Sequence, residues 1–265
     1  MSLLPFKSKY KPSNTLDLKC CRALVITTSH GSLDKLDPDS GTVIKKGKPT
    51  GVYASEMTDP YYVFLDAGMD VDIASIQGGE IPIEPGSLNI PLRTEYDKRY
   101  IMDPLAQRKV KNSLKIDDLD FRDYDIIMMA GGWGAAYDLA QSSVLSKKVS
   151  EAYEAGKILG GICHGGLGFI GAVKPDGSPL VEGVKMTAVT DRQVKQLGIG
   201  LTPKHPETEL RREGADFKCN SKGLVEFFND HVEVDEQHRI VTGQNQKGGV
   251  EASDRALMLL HKLSA

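Results

Sequence analysis

Apolar residues come in two patterns along this chain: short unbroken runs, and stretches where they recur every three or four positions. The first run is "CCRALVITTS" (20–29), β-branched and ending in small polar residues, which predicts a fully buried strand. "DVDIASI" (70–76), "YDIIMMAGGWG" (124–134) and "KILGGI" (157–162) predict further buried strands. Later strands are predicted over 184–190, 231–236 and 239–245.

Between the runs lie helical patterns. "ASEMTDPYYVFLDAG" (54–68) stops at Gly68, with Pro60 expected near a first turn or at a kink. "DPLAQRKVKNSL" (103–114) offers Asp103 as cap and Pro104 at the first helical position. "SSVLSKKVSEAYEAG" (142–156) is amphipathic with a glycine stop. "GVEASDRALMLLHKL" (249–263) closes the chain, with Ala256, Leu257, Leu260 and Leu263 on one side. Residues 30–51 read as a long loop, and 77–118 as irregular apart from the helix at 103. Strand–helix alternation predicts an α/β fold, a mostly parallel sheet covered on both faces by right-handed crossovers. One domain over 20–265 follows a polar arm over 1–19, expected on the surface or on a neighbouring subunit.

Composition narrows the class. The chain has 265 residues, 40 % hydrophobic and 26 % charged, as in ordinary globular proteins. A net charge of −3 and only short basic runs argue against nucleic acid as partner. No run is long enough for a membrane helix, and the first residues lack the apolar core of a signal peptide. Cys20, Cys21, Cys163 and Cys219 form no regular disulfide or CxxC spacing, so a reducing, cytoplasmic setting is expected, with Cys20 and Cys21 buried. The six histidines, at 30, 164, 205, 231, 238 and 261, show no metal-ligand spacing, so neither a metal nor another cofactor is expected.

Ligands of open α/β sheets bind beyond the carboxyl ends of the strands. Three predicted strands end there in Ser29–His30, in Gly131–Gly132–Trp133–Gly134 and in Cys163–His164. "GICHG" (161–165) has the form G-x-C-x-G, the cysteine version of a nucleophile elbow. The sharp turn needs small neighbours such as Gly165, and the helical turn behind it favours a thiolate. The N–H of His164 and one from the Gly132 turn are candidate oxyanion donors. An acid is also needed, and Glu56 at a helix start is the candidate. A lone cysteine at a strand end is otherwise a small buried hydrophobe.

Together, "ALVITTSHGS", "GVYASEMTDPYYVFLDAGMDVDIAS", "DYDIIMMAGGWGAAYDL", "GGICHGGLGFIGA" and "RIVTGQNQ" resemble the ThiJ/PfpI superfamily. Its fold is class I glutamine-amidotransferase-like: a flavodoxin-like three-layer α/β/α sandwich. Loop lengths and the "TGQN" turn look most like its heat-shock chaperone and glyoxalase III branch. The resemblance implies Cys163 as nucleophile, Glu56 as acid/base against its sulfur, His164 as proton-transfer partner, and Gly132 and His164 N–H as oxyanion donors. It implies a small 2-oxoaldehyde substrate such as methylglyoxal, converted to a 2-hydroxy acid without metal or glutathione, and a homodimer.

Two departures stand out. Trp133 sits where that branch often has histidine, making the pocket more apolar. The position expected for a third, acidic triad member falls on Val194, leaving Asp191, His205, Glu207 and Glu209 as substitutes or a Cys–Glu dyad alone. Amidase or peptidase chemistry on the same cysteine, and a redox-sensing or holdase chaperone, are the competing readings. A glutaminase subunit is disfavoured, because "TGQNQKG" offers no distant His–acid pair.

Overall fold

The computed structural model describes residues 10–12, 16–37, 39–221 and 229–264. In chain order its elements begin with β1 (Arg22–Thr27), a hairpin of β2 (Lys35–Leu36) and β3 (Val43–Lys45), α1 (Ala54–Asp66) and β4 (Asp70–Ser75). Next come α2 (Glu95–Ile101), α3 (Pro104–Lys111), β5 (Leu114–Lys115), β6 (Ile126–Met129), α4 (Ala135–Asp138) and α5 (Ser143–Glu154). β7 (Ile158–Ile162) runs into a 3-10 turn, Cys163–Phe169. β8 (Lys185–Met186), α6 (Asp191–Gln196), α7 (Pro206–Arg212), β9 (Asp216–Phe217), β10 (Val232–Asp235), β11 (Ile240–Gly243) and α8 (Gly249–Ser264) complete the chain.

The main sheet has the order β10-β11-β7-β6-β1-β4-β5. Its pairs are parallel except the edge pair β10–β11. Side chains alternate between two apolar layers, as strand geometry requires. Ala23 and Val25 of β1 face one core with Met57, Tyr62 and Phe64 of α1 and Leu257 of α8. Leu24 and Ile26 face the other with Leu145 and Val149 of α5 and Leu167 and Phe169 of the turn. Both sheet faces are covered by these layers, which is why the strand runs lack polar alternation. The expected α/β/α sandwich is therefore the observed fold.

Several boundaries differ. The run at 20–29 yields a strand only from Arg22, so Cys20 is exposed and Cys21 half-buried on the preceding turn rather than in the core. Pro60 lies inside α1, beyond its first turn, and its missing N–H leaves the Glu56 carbonyl without its usual helical donor. The strand expected over 184–190 shrinks to Lys185–Met186. Leu263, expected on one side with Ala256, Leu257 and Leu260, is 53 % exposed, because residues 261–264 of that helix are all solvent-facing. The stretch 77–118, read as irregular, also holds α2, closed by a capping box between Thr94 and Asp97. The N-terminal arm lies mostly outside the described residues. Its described part docks on this chain's own helices, Tyr10 donating to Asp254 at 2.6 Å and Leu18 N–H to the Ala67 carbonyl at 2.8 Å. No helix among the described residues is long and apolar enough to cross a membrane.

Candidate active site

β7 delivers Cys163 into a backbone conformation that L-residues avoid, with φ of 57°. The turn is held tightly from below. A Cβ on Gly165 would fall 2.0 Å from the Met129 carbonyl oxygen of β6, so Gly165 serves close packing. A Cβ on Gly131 would fall 2.6 Å from both a Glu56 carboxyl oxygen and the His164 nitrogen. Glycines at 131 and 165 thus let strand ends, α1 and the elbow converge on one point. Gly132 turns the chain after β6, with φ of 97°.

Three predicted residues meet there. His164 Nδ1 lies 3.5 Å from Cys163 Sγ. Glu56, in the first turn of α1 and 1 % exposed, lies against the same sulfur and near the Gly131 and Gly132 N–H groups. Its Oε2 closes no well-formed hydrogen bond among the described residues. Burial pushes the Glu56 carboxyl up to about 8, against the opposing pull of the thiol and the two N–H groups. Burial, and then Glu56 itself when charged, push the Cys163 thiol well up, while N–H groups of His164 and Gly132 pull it down. Two adjacent buried acids cannot both ionise cheaply, so the first proton lost leaves one anion shared by the pair. The two predicted oxyanion donors are the same N–H groups that approach the sulfur.

Burial, and then His205, push the His164 imidazole down to about 3, so it is a neutral base in ordinary buffers. Its Nε2 is buried without a partner among the described residues. Of the acids considered for the third position, Glu207 and Glu209 are ion-paired elsewhere, while Asp191 keeps its Oδ1 buried without a hydrogen-bond partner among the described residues. Asp191 accepts from the Thr208 hydroxyl at 2.6 Å, and its N–H donates to Glu207 at 3.0 Å. Glu207 pairs with Arg211 at 3.0 Å, and Glu209 with Lys204 at 3.2 Å and with Arg212. Val194 is buried in the apolar layer that also holds Cys163. Trp133 packs against both layers, with Lys48 Nζ 5.7 Å from its ring centroid.

Tyr53, at the cap of α1, was not singled out by the sequence. Its hydroxyl is held protonated by burial and by the neighbouring Glu56. Its position three residues before the acid was the available signal. A cavity of about 260 Å³ beside α1 is lined by Tyr53, Ser55, Asp59, Thr94, Tyr96 and Lys247 among others, but not by Cys163. No group of three or more potential metal ligands occurs among the described residues.

Residues 49–197 match the DJ-1/PfpI family. Glyoxalase 3 of Candida albicans is 29 % identical over 218 residues, covering 80 % of this chain and 91 % of that protein. A glutathione-independent glyoxalase of Schizosaccharomyces pombe is 26 % identical over 235 residues, covering 84 % and 93 %. The crystal structure of glyoxalase III from Candida albicans superposes with a TM-score of 0.77 at 25 % identity, covering 91 % of this chain and 98 % of that one.

Proposed function

The chain belongs to the DJ-1/PfpI family, and from that premise we propose that it is a glutathione-independent glyoxalase acting on small 2-oxoaldehydes. The observation that carries the reading is the buried contact of Glu56 with the Cys163 thiol at a strained strand end. Relatives named as glyoxalases support it across most of their length.

In this mechanism the Cys163 thiolate attacks the aldehyde carbon. The S–C bond forms, and the carbonyl electron pair moves onto oxygen, which takes a proton from Glu56. Until that proton arrives, the His164 and Gly132 N–H groups hold the oxyanion. His164, neutral and with Nδ1 3.5 Å from the sulfur, is placed to take the hydrogen from the carbon just bound. The released pair forms an enediol with the neighbouring carbonyl, and reprotonation at the second carbon gives a 2-hydroxy thioester. Water cleaves that thioester, and the thiolate returns. Methylglyoxal plus water becomes lactate plus a proton, with no net oxidation and no external carrier.

The amidase reading is weaker. Expelling an amine calls for an imidazole oriented by an acid, and among the described residues no carboxylate partners His164. The proposal takes 20–265 as one catalytic domain with 1–19 as its arm, working as a homodimer in the cytoplasm. Cysteines 20, 21, 163 and 219, all free thiols, support a reducing setting.

The test is an endpoint assay of lactate from methylglyoxal and glycolate from glyoxal, without added glutathione or metal. Wild type forms both, and Cys163→Ala and Glu56→Gln lose them. A wild type whose Cys163 alkylates readily but forms neither acid overturns the reading.

A further inference from the structure

Asp59 stands on α1, the helix that carries Glu56, and takes no part in the chemistry above. It is 2 % exposed, and among the described residues its carboxyl makes no ion pair. Its one hydrogen bond there comes from the Thr94 hydroxyl to Oδ1, at 3.2 Å. Oδ2 reaches the start of α8, where a Cβ on Gly249 would fall 3.0 Å from it. Burial, and then the neighbouring Asp97, push the carboxyl well above the usual range. Buried carboxyls are normally paired or fully hydrogen-bonded, and this one is neither.

Asp59 lines the cavity of about 260 Å³ beside α1. Tyr10, Tyr53 and Tyr96 line the same space. Tyr96 is fixed by stacking on Tyr62, with ring centroids 5.7 Å apart, and Tyr10 by its hydroxyl on Asp254. Ser55 borders the cavity too, wholly buried, its hydroxyl closing no hydrogen bond among the described residues. Lys247 is the one basic residue of the described lining, and its ammonium lies 3.6 Å from Asp230 Oδ1. On the flanking helices, Lys98 pairs with Glu95 at 2.9 Å, Arg99 with Asp66 at 2.6 Å and Arg255 with Glu251 at 2.7 Å. Before α2, Arg93 Nε donates to the Leu88 carbonyl at 2.7 Å. The charged groups that act on Asp59 itself are both acids, Asp97 of α2 and Glu56 of α1.

We propose that this cavity binds a small organic ammonium ion, a primary amine on a compact apolar group, with Asp59 as its counter-ion. Such a ligand brings the charge that the carboxyl lacks. Its N–H groups donate to the carboxylate, and its carbon body packs among tyrosine rings, whose faces attract cations. As the ammonium enters, Asp59 gives its proton to water, and the carboxylate that forms is paired rather than stranded in the interior. An anionic ligand would meet acids from two helices. A neutral one of the same shape would gain only the apolar contacts. Cys163 does not line the cavity, so the site is separate from the reacting sulfur, and the inference does not rest on the glyoxalase reading.

The test is isothermal titration calorimetry of the full chain near neutral pH in phosphate buffer. The probes are benzylammonium chloride and benzyl alcohol, its neutral counterpart of similar shape. Wild type is expected to bind the ammonium at least about tenfold more tightly than the alcohol. Asp59→Asn, which keeps the shape and removes the charge, should bring the two affinities within about twofold of each other. Leu92→Trp, which fills the cavity from its half-buried wall, should weaken both probes. Where asparagine prevents folding, the Asp59 carboxyl carbon NMR signal of wild type decides: benzylammonium should move it to the ionised position, and benzyl alcohol should not. Wild type that binds neither probe, or both equally, overturns the proposal. So does a preference for the ammonium that survives in Asp59→Asn, which would assign the cation to another acid. Unchanged binding in Leu92→Trp, or an Asp59 signal indifferent to benzylammonium, would place the ligand outside this cavity and overturn it as well.

Discussion

The Glu56 carboxyl lies against the Cys163 thiol with both groups out of water, at 1 % and 8 % exposure. Neither can ionise without raising the cost for the other, so the pair behaves as one acid with a shared proton. That relationship has consequences for stability as well as chemistry.

Stability should fall as pH rises through the range over which only the unfolded chain loses this proton. Glu56 is pushed from 4.5 up to about 8 in the folded chain. Between those values the folded state binds more protons than the unfolded one, so its advantage is greatest below the window and shrinks across it. Glu56→Gln removes the dependence. On moving from pH 4.5 to 8 the variant should gain on wild type by an amount on the order of 2–4 kcal/mol. Urea unfolding at three pH values measures it. A difference that stays flat with pH would mean that the carboxyl is already ionised when folded.

Cys163 pays a conformational penalty that its two simplest replacements separate. With φ of 57° the position suits glycine far better than alanine. Cys163→Gly should therefore be more stable than Cys163→Ala by about 1 kcal/mol, although it removes a β-carbon from a buried site. Thermal melting of the two variants at one pH gives the comparison. Alanine equal to or above glycine would argue that the elbow is not strained in solution.

How legible this was in the sequence depends on the kind of signal. Runs such as 22–27 and 158–162 are apolar because both sheet faces are covered, so their strands stood out, and the glycines around Cys163 marked the elbow because backbone passes so close there. α2 was missed because only Asp97 and Tyr100 of its seven residues are buried, too few for a period to show. α6 and α7 are equally short, and their starts are set by a Thr190 capping box and by a proline rather than by apolar repetition. Cys20 misled the reading, since an apolar run does not say where its strand begins.

Gly165 is expected to be irreplaceable for reasons unconnected with catalysis. A methyl group there would meet the Met129 carbonyl at 2.0 Å, with backbone on both sides and nothing free to move. Gly165→Ala should cost at least about 3 kcal/mol or abolish folding. Gly177 is the control: its φ is 83° but nothing lies within 4 Å of a Cβ, so Gly177→Ala should cost only about 1 kcal/mol. Similar melting temperatures for the two variants would contradict the packing seen at the elbow.

The pH dependence of turnover separates the roles of the three polar side chains. His164 is pushed down to about 3, so it cannot supply a titration between pH 5 and 8. The reactive sulfur anion requires loss of the proton shared with Glu56, whose carboxyl is pushed up to about 8. On methylglyoxal, kcat/KM should accordingly rise with pH and level off near or above that value. His164→Gln should lower kcat by about 10²–10³ as a proton-transfer base is lost, yet leave the midpoint where it was. Glu56→Gln should move the midpoint itself, because the pair becomes a single thiol beside a neutral amide. Steady-state kinetics of the three proteins over pH 5 to 9.5 measure all of this. A wild-type midpoint near 6.5 that vanishes in His164→Gln would assign the titration to the imidazole, and the shared-proton account of Cys163 and Glu56 would have to be given up.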